Sequence, residues 1–360
     1  MHGTQDHQVV DRRYGSLMVR RCREVFHNLA PIQVRKIAME MVPKTLKDKL
    51  RYAAASLRSW ERLEDNPPQT LKFETTNICN ANCIFCGYQY HDREKGVMPL
   101  ELYKRAIDEY AAMGGTSIGL TPVVGDPLVD PHIIERITIA IGTKQITDIC
   151  LYTNGILLNK NNTVDELLQS GLKTLYVSTA GFEREMFERV YRSKKYDDLL
   201  AGVTKLLRRN KELGELVTIV LEFRPDKAIE EVLNDKDFVE HVKEHIPEKR
   251  ISWLTAFDNW GSMITEDQLS GTMKMATVPD IKRRPCARTF TAMVMWDGSI
   301  RACSCRFKAG SFDDHTVGDI NDGKTLESVW KGQPVRDFRR TFVNDELRSA
   351  CQSCSSYEPI

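Results

Sequence analysis

The sequence has no long apolar run and almost no net charge. No apolar stretch of its 360 residues approaches the roughly 20 that a membrane-spanning helix needs, so none is predicted. The N-terminal segment MHGTQDHQVV lacks the apolar stretch of a signal peptide, and we therefore expect a cytoplasmic protein. Lys and Arg number 51 against 50 Asp and Glu, while 41% of the residues are apolar. This balance excludes a disordered chain and predicts one large domain or two of ordinary size.

Cysteine, in contrast, is abundant, with ten residues. In a reducing cytosol, cysteines are more often metal ligands than disulfide partners. Three of them stand together at Cys79, Cys83 and Cys86, and five gather between Cys286 and Cys354. This clustering predicts two separate metal centres.

The N-terminal part is strongly basic. Residues 12–58 hold 12 Lys and Arg against three Asp and Glu, in a pattern of amphipathic helices broken at Pro31 and Pro43. One interpretation is a solvated helical cap on the main domain. The other is a surface that docks on an anionic partner, a phosphorylated substrate or a membrane surface.

From residue 71 onwards, short apolar strands alternate with helices. Six such units in series predict an α/β fold with a parallel sheet, open or curled into a partial barrel. In such sheets the chemistry lies on the loops after the strands. The predicted strands are Thr70–Glu74, Ser117–Thr121, Asp148–Tyr152, Leu175–Ser178, Val217–Phe223 and Ile251–Phe257.

The alternation stops after about Gly261. A hairpin is predicted over Thr291–Trp296 and Ile300–Arg306, followed by a helix around Leu326–Phe342 and a cysteine-rich end. Such a module is too small to fold independently unless a metal holds it together.

The first predicted strand is followed directly by Cys79, Cys83 and Cys86, spaced C-x3-C-x2-C. Three thiolates this close can hold one soft metal centre. A four-iron cluster on three cysteines leaves one iron open to a ligand. A zinc site completed by a distant fourth residue is the alternative.

This motif, with an aromatic residue (Phe85) before its last cysteine, resembles that of the radical S-adenosylmethionine (SAM) family. The resemblance implies a [4Fe-4S] cluster whose open iron binds SAM. It also implies reductive cleavage of SAM to a 5′-deoxyadenosyl radical, which abstracts hydrogen from an unactivated carbon. An electron donor such as flavodoxin or ferredoxin would be a partner.

Further strand-end residues strengthen the resemblance. Val124-Gly125-Asp126-Pro127 is similar to the family's Gly-Gly-Glu-Pro loop, whose backbone binds the SAM amino group, with Val124 and Asp126 as departures. Ser178 and Arg192 match a pair that often holds the polar groups of SAM. The SAM-binding residues that the resemblance implies are Phe85, Gly125, Asp126, Pro127, Asn154, Ser178 and Arg192.

Glu222 and Arg224 share one face of the fifth predicted strand. In a curled sheet this face points inward, where the two side chains would contact substrate or SAM. A salt bridge at the end of the strand, without a catalytic role, is the alternative.

The C-terminal cysteines follow a second spacing. Cys286 is separated by 11 residues from Gly298, which is followed by four residues and Cys303. This resembles the opening of the SPASM domain, here in its shortened "twitch" form with one auxiliary [4Fe-4S] cluster. A zinc site on the same residues is the alternative. The implied ligands are Cys286, Cys303, Cys351 and Cys354.

Cys305 is left without an assigned role. It is an alternative ligand, a bystander, or a thiol that faces the substrate. Radical epimerases of the radical SAM family use such a thiol to donate a hydrogen atom to a carbon radical. The resemblance therefore makes Cys305 a candidate catalytic residue.

The expected architecture is a basic helical extension (residues 1–69), a partial (β/α)6 radical SAM barrel (70–265) and a twitch domain (266–360), similar to the architecture of 2-deoxy-scyllo-inosamine dehydrogenase. The expected substrate is a small polar molecule, a sugar or aminocyclitol, which is epimerised or oxidised by two electrons. Alternatives are a maturase of a ribosomally made peptide and a non-catalytic iron–sulfur protein. No nucleic-acid partner is expected.

Overall fold

The computed structural model describes residues 60–160, 162–303 and 312–360, all within one compact unit that spans residues 51–360. Cys305 and nearly all of the predicted helical extension lie outside the described residues. Within the described part of the chain, no helix has both the length and the apolar character that a membrane span requires.

Six parallel strands, hydrogen-bonded in chain order, form the larger part of the main sheet. They confirm the predicted α/β fold with a parallel sheet in a partial (β/α)6 barrel. Each follows the predicted position within one or two residues at its start. The strands are β1 Leu71–Phe73, β2 Ser117–Leu120, β3 Asp148–Thr153, β4 Thr174–Thr179, β5 Thr218–Phe223 and β6 Ile251–Trp253.

The sixth strand, predicted over Ile251–Phe257, is shorter in the structure than predicted. Strand β6 ends at Trp253, and a separate strand β7 (Ala256–Phe257) pairs instead with β8 (Lys274–Met275) in a two-stranded sheet. A run of apolar residues does not reveal such a change of partner.

Helices connect the parallel strands and cover the outer face of the sheet. Their bounds are α1 Leu100–Ala112, α2 Ile133–Gly142, α3 Thr163–Gln169, α4 Arg184–Tyr191, α5 Tyr196–Glu212, α6 Ile229–Leu233 and α7 Lys236–His241. The strands alternate between this buried outer face and an inner one, because successive side chains of a strand point to opposite sides. In β1, Leu71 and Phe73 are buried outward, and Phe73 packs on Tyr103 of α1 with ring centroids 4.6 Å apart. Lys72 faces inward and is half-buried.

The predicted C-terminal hairpin forms with shorter strands, and the part of its second predicted strand beyond Cys303 lies outside the described residues. It consists of β9 Ala292–Val294 and β10 Ser299–Arg301, and β11 Thr316–Asp319 pairs beside it. Strand β9 pairs in parallel with β1, so the main sheet runs in the order β11-β10-β9-β1-β2-β3-β4-β5-β6. The C-terminal part therefore shares a sheet with the barrel, and a bound metal is not its sole support.

The single helix predicted over Leu326–Phe342 is wrong, because the structure breaks it at Gly332. Two helices result, α8 Leu326–Trp330 and α9 Gln333–Val343. Pro334 lies in the first turn of α9, where its missing N–H costs nothing. A short helix α10, Ser349–Gln352, precedes the C-terminal segment.

Candidate active site

Three loops at the carboxyl ends of neighbouring strands meet at one place. The cysteine loop follows β1, the Gly125-Asp126-Pro127 loop follows β2, and Asn154 follows β3. The backbone N–H of Asp126 donates to the carbonyl of Ile78 (2.9 Å). Because the strands are parallel and adjacent, the sequence-predicted residues of all three loops come together as expected.

Asp126 is the residue that joins these loops. Its buried carboxylate accepts hydrogen bonds from the backbone N–H of Leu128 (2.9 Å) and of Asn154 (2.7 Å), and from the Thr153 hydroxyl (2.9 Å). Burial is the largest influence on this carboxyl and raises its pKa in spite of these donors. Asp126 thus orients the β2 and β3 loops with its side chain.

Gly125 allows the two loops to approach each other. Its φ of +123° lies in the left-handed half of conformational space. A Cβ at this position would lie 2.7 Å from the carbonyl oxygen of Thr76, a backbone atom just before the cysteine loop. A side chain there would push the β2 loop away from the cysteines.

Asn154 reaches from the β3 loop to the cysteine loop. Its side-chain amide donates to Oδ1 of Asn80 (2.6 Å) and lies 3.9 Å from the Sγ of Cys79. Its own Oδ1 accepts from the backbone N–H of Ile156 (3.0 Å), which fixes the orientation of the amide. Asn154 therefore contacts the surroundings of the first predicted ligand.

The thiols of Cys79, Cys83 and Cys86 lie close enough to disfavour one another's ionisation. Burial, followed by the nearby Asp126, raises the pKa of Cys79 to about 12. Burial and then Cys86 and Cys79 raise the pKa of Cys83 well above its ordinary value. A positively charged metal centre removes this penalty, because a coordinated thiol loses its proton. These residues fit a [4Fe-4S] cluster held by three cysteines.

The remaining predicted SAM-binding residues lie around this loop. The buried Phe85 ring packs on Tyr191 and Phe257, with centroids 5.5 and 5.2 Å apart. Ser178 shares a 2.8 Å hydrogen bond with the hydroxyl of Tyr191. Arg192 is exposed.

Among the described residues, no hydrogen bond joins Arg192 to Ser178. Arg192 instead donates to Oε1 of Gln89 (2.9 Å), next to the cysteine loop. Glu222 and Arg224 form an ion pair at the end of β5, which is one of the two arrangements that the sequence leaves open. The Arg224 guanidinium lies 5.1 Å from the Phe85 ring centroid, so this pair adjoins the cysteine loop.

The four predicted auxiliary ligands line one small cavity, shared with aromatic side chains. The C-terminal segment brings them together, because Ala287 donates to the carbonyl of Glu358 (2.7 Å) and Ile360 to that of Pro285 (3.1 Å). The cavity is lined by Cys286, Arg288, Thr289, Cys303, Phe338, Phe342, Cys351, Cys354 and Tyr357. Four thiols in an apolar cavity fit an iron–sulfur cluster.

A site for a single metal ion differs from a site for an iron–sulfur cluster. Across residues 60–160, 162–303 and 312–360, no group of three or more His, Cys, Asp or Glu side chains has the arrangement that would hold one metal ion. The fit to the auxiliary cluster therefore rests on the shared cavity and on the donor chemistry.

Two residues near the auxiliary cavity were missed by the sequence reasoning. The buried Lys282 ammonium donates to the carbonyls of Cys351 (2.7 Å), Gln352 (2.8 Å) and Cys354 (3.0 Å), and so fixes the turn that carries two predicted ligands. The buried His315 contacts Cys351. A lone Lys and a lone His give no motif, so the sequence holds no signal for either.

The family comparison agrees with this site. Residues 73–235 match the model of the radical SAM superfamily, and residues 286–355 match the SPASM model, an iron–sulfur cluster-binding domain. The chain therefore contains a radical SAM domain followed by a C-terminal SPASM-type domain, which confirms the predicted resemblance. Its cofactors are SAM, the SAM-binding [4Fe-4S] cluster and an auxiliary iron–sulfur cluster.

Individual relatives are more distant. The GTP 3',8-cyclase of Clostridium perfringens (strain 13 / Type A) is 30% identical over 163 residues, covering 44% of this chain and 49% of that protein. The chain thus spans about half the length of the curated relatives it matches.

The comparison with solved structures gives matches of low sequence identity. Streptococcus suis SuiB bound to precursor peptide SuiA aligns with a TM-score of 0.54 at 14% identity, covering 82% of this chain and 72% of that chain. BtrN in complex with AdoMet and 2-DOIA aligns with a TM-score of 0.49 at 17% identity, covering 79% and 92%.

Proposed function

We propose that this radical SAM enzyme abstracts a hydrogen atom from a C–H bond of a small polar molecule, such as a sugar or an aminocyclitol, bound at the inner face of the sheet. The observation that supports this proposal is the polar character of that face. An inner face that only filled space would carry apolar side chains, as the outer face does.

Lys72 is the first element of this polar face. Its side chain runs over Gly119 of β2, where a Cβ would lie 3.1 Å from the Cγ of Lys72. Within the described part of the chain, its ammonium has neither an ion-pair nor a hydrogen-bond partner. A half-buried cation without a partner is available to a hydroxyl or an anionic group of a substrate.

Two tyrosines and an ion pair complete the face. Tyr152 and Tyr176 lie opposite each other on β3 and β4 and stack with centroids 4.1 Å apart and planes at 5°. Ser178 lies opposite Glu222, which pairs with Arg224. These groups offer both donors and acceptors, as a polyhydroxylated or aminated substrate requires.

The chain's own residues hold the reaction centre in place. The cluster and SAM, when bound, supply the 5′-deoxyadenosyl radical that abstracts the hydrogen. Cys79, Cys83 and Cys86 would hold the cluster, while Asp126 and Asn154 fix the loops around it. The inner face would orient the substrate below these loops.

A substrate panel tests the proposal. Anaerobic reactions contain reconstituted enzyme, SAM, dithionite and one compound from a set of sugars, sugar phosphates, aminocyclitols, GTP or synthetic peptides. We expect a sugar or aminocyclitol to stimulate 5′-deoxyadenosine formation and to be consumed. Stimulation by peptides alone would overturn the proposal in favour of a peptide maturase, and stimulation by GTP alone would favour a cyclase.

Lys72→Met should weaken substrate binding without preventing SAM cleavage. Losing a hydrogen bond to a charged group costs about 1.5–3 kcal/mol, so KM should rise about ten- to hundredfold. Lys211→Met, an exposed lysine of α5, is the matched control and should leave KM unchanged. Steady-state kinetics with the compound found in the panel measure both, and an unchanged KM for Lys72→Met would argue against substrate contact at the inner face.

Cys305 is proposed as the hydrogen donor to the substrate radical, which would make the reaction an epimerisation. Donation from the face opposite to abstraction inverts a stereocentre and leaves the mass unchanged. In heavy water we therefore expect one solvent deuterium in the product, and Cys305→Ala should still cleave SAM but yield no inverted product. A product two mass units lighter, measured by mass spectrometry, would indicate two-electron oxidation instead.

A further inference from the structure

His315 lies fully buried between two side chains of the C-terminal part. Its Nδ1 is 3.2 Å from an Nη2 of Arg301, and its Nε2 is 3.4 Å from the Sγ of Cys351. Arg301 is itself completely buried at the end of β10. The imidazole thus bridges an arginine and a predicted cluster ligand 36 residues further along the chain.

The arginine decides which nitrogen of His315 carries the proton. A guanidinium has only N–H donors and no acceptor. Nδ1 must therefore accept the hydrogen bond from Arg301, and the proton of the neutral ring is placed on Nε2. The Nε2–H then points at the sulfur of Cys351, which acts as the acceptor.

The ring has little freedom to leave this orientation. Its other side meets Phe338 of α9 edge-on, with ring centroids 5.3 Å apart at an angle of 78°. The backbone carbonyl of His315 accepts from Ala302 (3.0 Å), next to Arg301. Cys351 is held in addition by Lys282, whose ammonium donates to the backbone carbonyl of Cys351. Both partners of the His315–Cys351 contact are therefore fixed.

We propose that His315 is a positioning residue that donates a hydrogen bond from Nε2 to the Cys351 thiolate and thereby raises the reduction potential of the auxiliary cluster. This inference rests on the proposed ligand role of Cys351. Reduction adds negative charge to a cluster and its thiolates, and a donor to sulfur stabilises that added charge. Hydrogen bonds to the sulfurs are among the factors that set such potentials.

The test uses the full chain with Cys79, Cys83 and Cys86 replaced by Ala, so that only the auxiliary cluster is reconstituted. In this background, His315→Asn retains an acceptor for Arg301 but is too short to reach Cys351. His315→Gln places an amide donor at about the distance of Nε2. The midpoint potential is measured by dithionite titration followed by electron paramagnetic resonance, together with iron content.

We expect His315→Asn to make one-electron reduction about tenfold less favourable, a shift of about 59 mV to more negative potential. His315→Gln should restore most of the loss at an unchanged iron content. The role of His315 would be overturned by equal midpoint potentials in the background protein and its His315→Asn and His315→Gln variants. It would also be overturned by a shift in His315→Asn that His315→Gln does not reverse. Full iron content in a Cys351→Ala protein of the same background would instead refute Cys351 as a ligand, which is a failure of the underlying assignment.

Discussion

Replacing Cys79, Cys83 or Cys86 by Ala is expected to abolish reductive SAM cleavage and to leave the chain folded. A three-cysteine cluster has no spare protein ligand, and these thiols lie within reach of one another, as their mutual effect on the pKa of Cys83 shows. The fold should persist because the loop also has contacts that do not depend on the thiols. The Phe85 ring packs on Tyr191 and Phe257.

The measurement is the yield of 5′-deoxyadenosine from SAM and dithionite under anaerobic conditions, with circular dichroism as the check on folding. Cys150→Ala is the matched control, because burial also raises the pKa of this thiol, to about 11, although it stands in β3 away from the motif. This control should cleave SAM like the wild type. A wild-type yield from any of the three motif variants would contradict the assignment of the cluster.

The parallel strands of the main sheet could be predicted from the sequence because β1 to β5 each bury one face. In β5, Ile219, Leu221 and Phe223 are buried outward while Glu222 stays accessible, and this alternation is visible in the sequence. Pairing between distant strands is not visible in that way. The parallel pairing of β9 with β1 joins Ala292 to Leu71, and no local pattern connects residues so far apart.

In the candidate site too, local sequence patterns could be predicted and contacts between distant residues could not. The cysteine spacing and the Gly125-Asp126-Pro127 loop are local patterns, and the structure brings them together. The role of the Asp126 side chain depends on donors from the next loop, Thr153 and Asn154, which only the sheet places beside it. Lys282 likewise acts through carbonyls about 70 residues away. Residues that support a ligand from a distance therefore escape sequence analysis.

The supports around the two centres are built differently. Asp126 acts by accepting backbone and hydroxyl hydrogens, which fixes loops that must leave room for SAM. At the auxiliary cavity, Lys282 donates to carbonyls and His315 contacts a sulfur directly, so the predicted ligands themselves are held. The second arrangement suits the predicted cluster, in which four cysteines would leave no open position for substrate.

The double variant Cys351→Ala/Cys354→Ala should lower the iron content of the reconstituted protein from about eight to about four per chain, because each [4Fe-4S] cluster contributes four irons. It should also destabilise the C-terminal part, since cluster binding and folding are coupled. The shared sheet between β9 and β1 predicts that this loss is partial, so the protein should remain soluble and lose thermal stability first around the auxiliary cavity.

Iron analysis and hydrogen exchange measure the two effects. Faster exchange is expected in α10 and in the segment that follows it, while β1 to β5 should exchange as in the wild type. Cys150→Ala again serves as the control and should keep about eight irons, since this residue lies in neither cysteine group. Zinc in the wild-type C-terminal site, or an unchanged iron content in the double variant, would refute the auxiliary cluster on these ligands. If iron falls to about four while SAM cleavage without substrate persists, the two centres assemble independently, as their separate sets of cysteines predict.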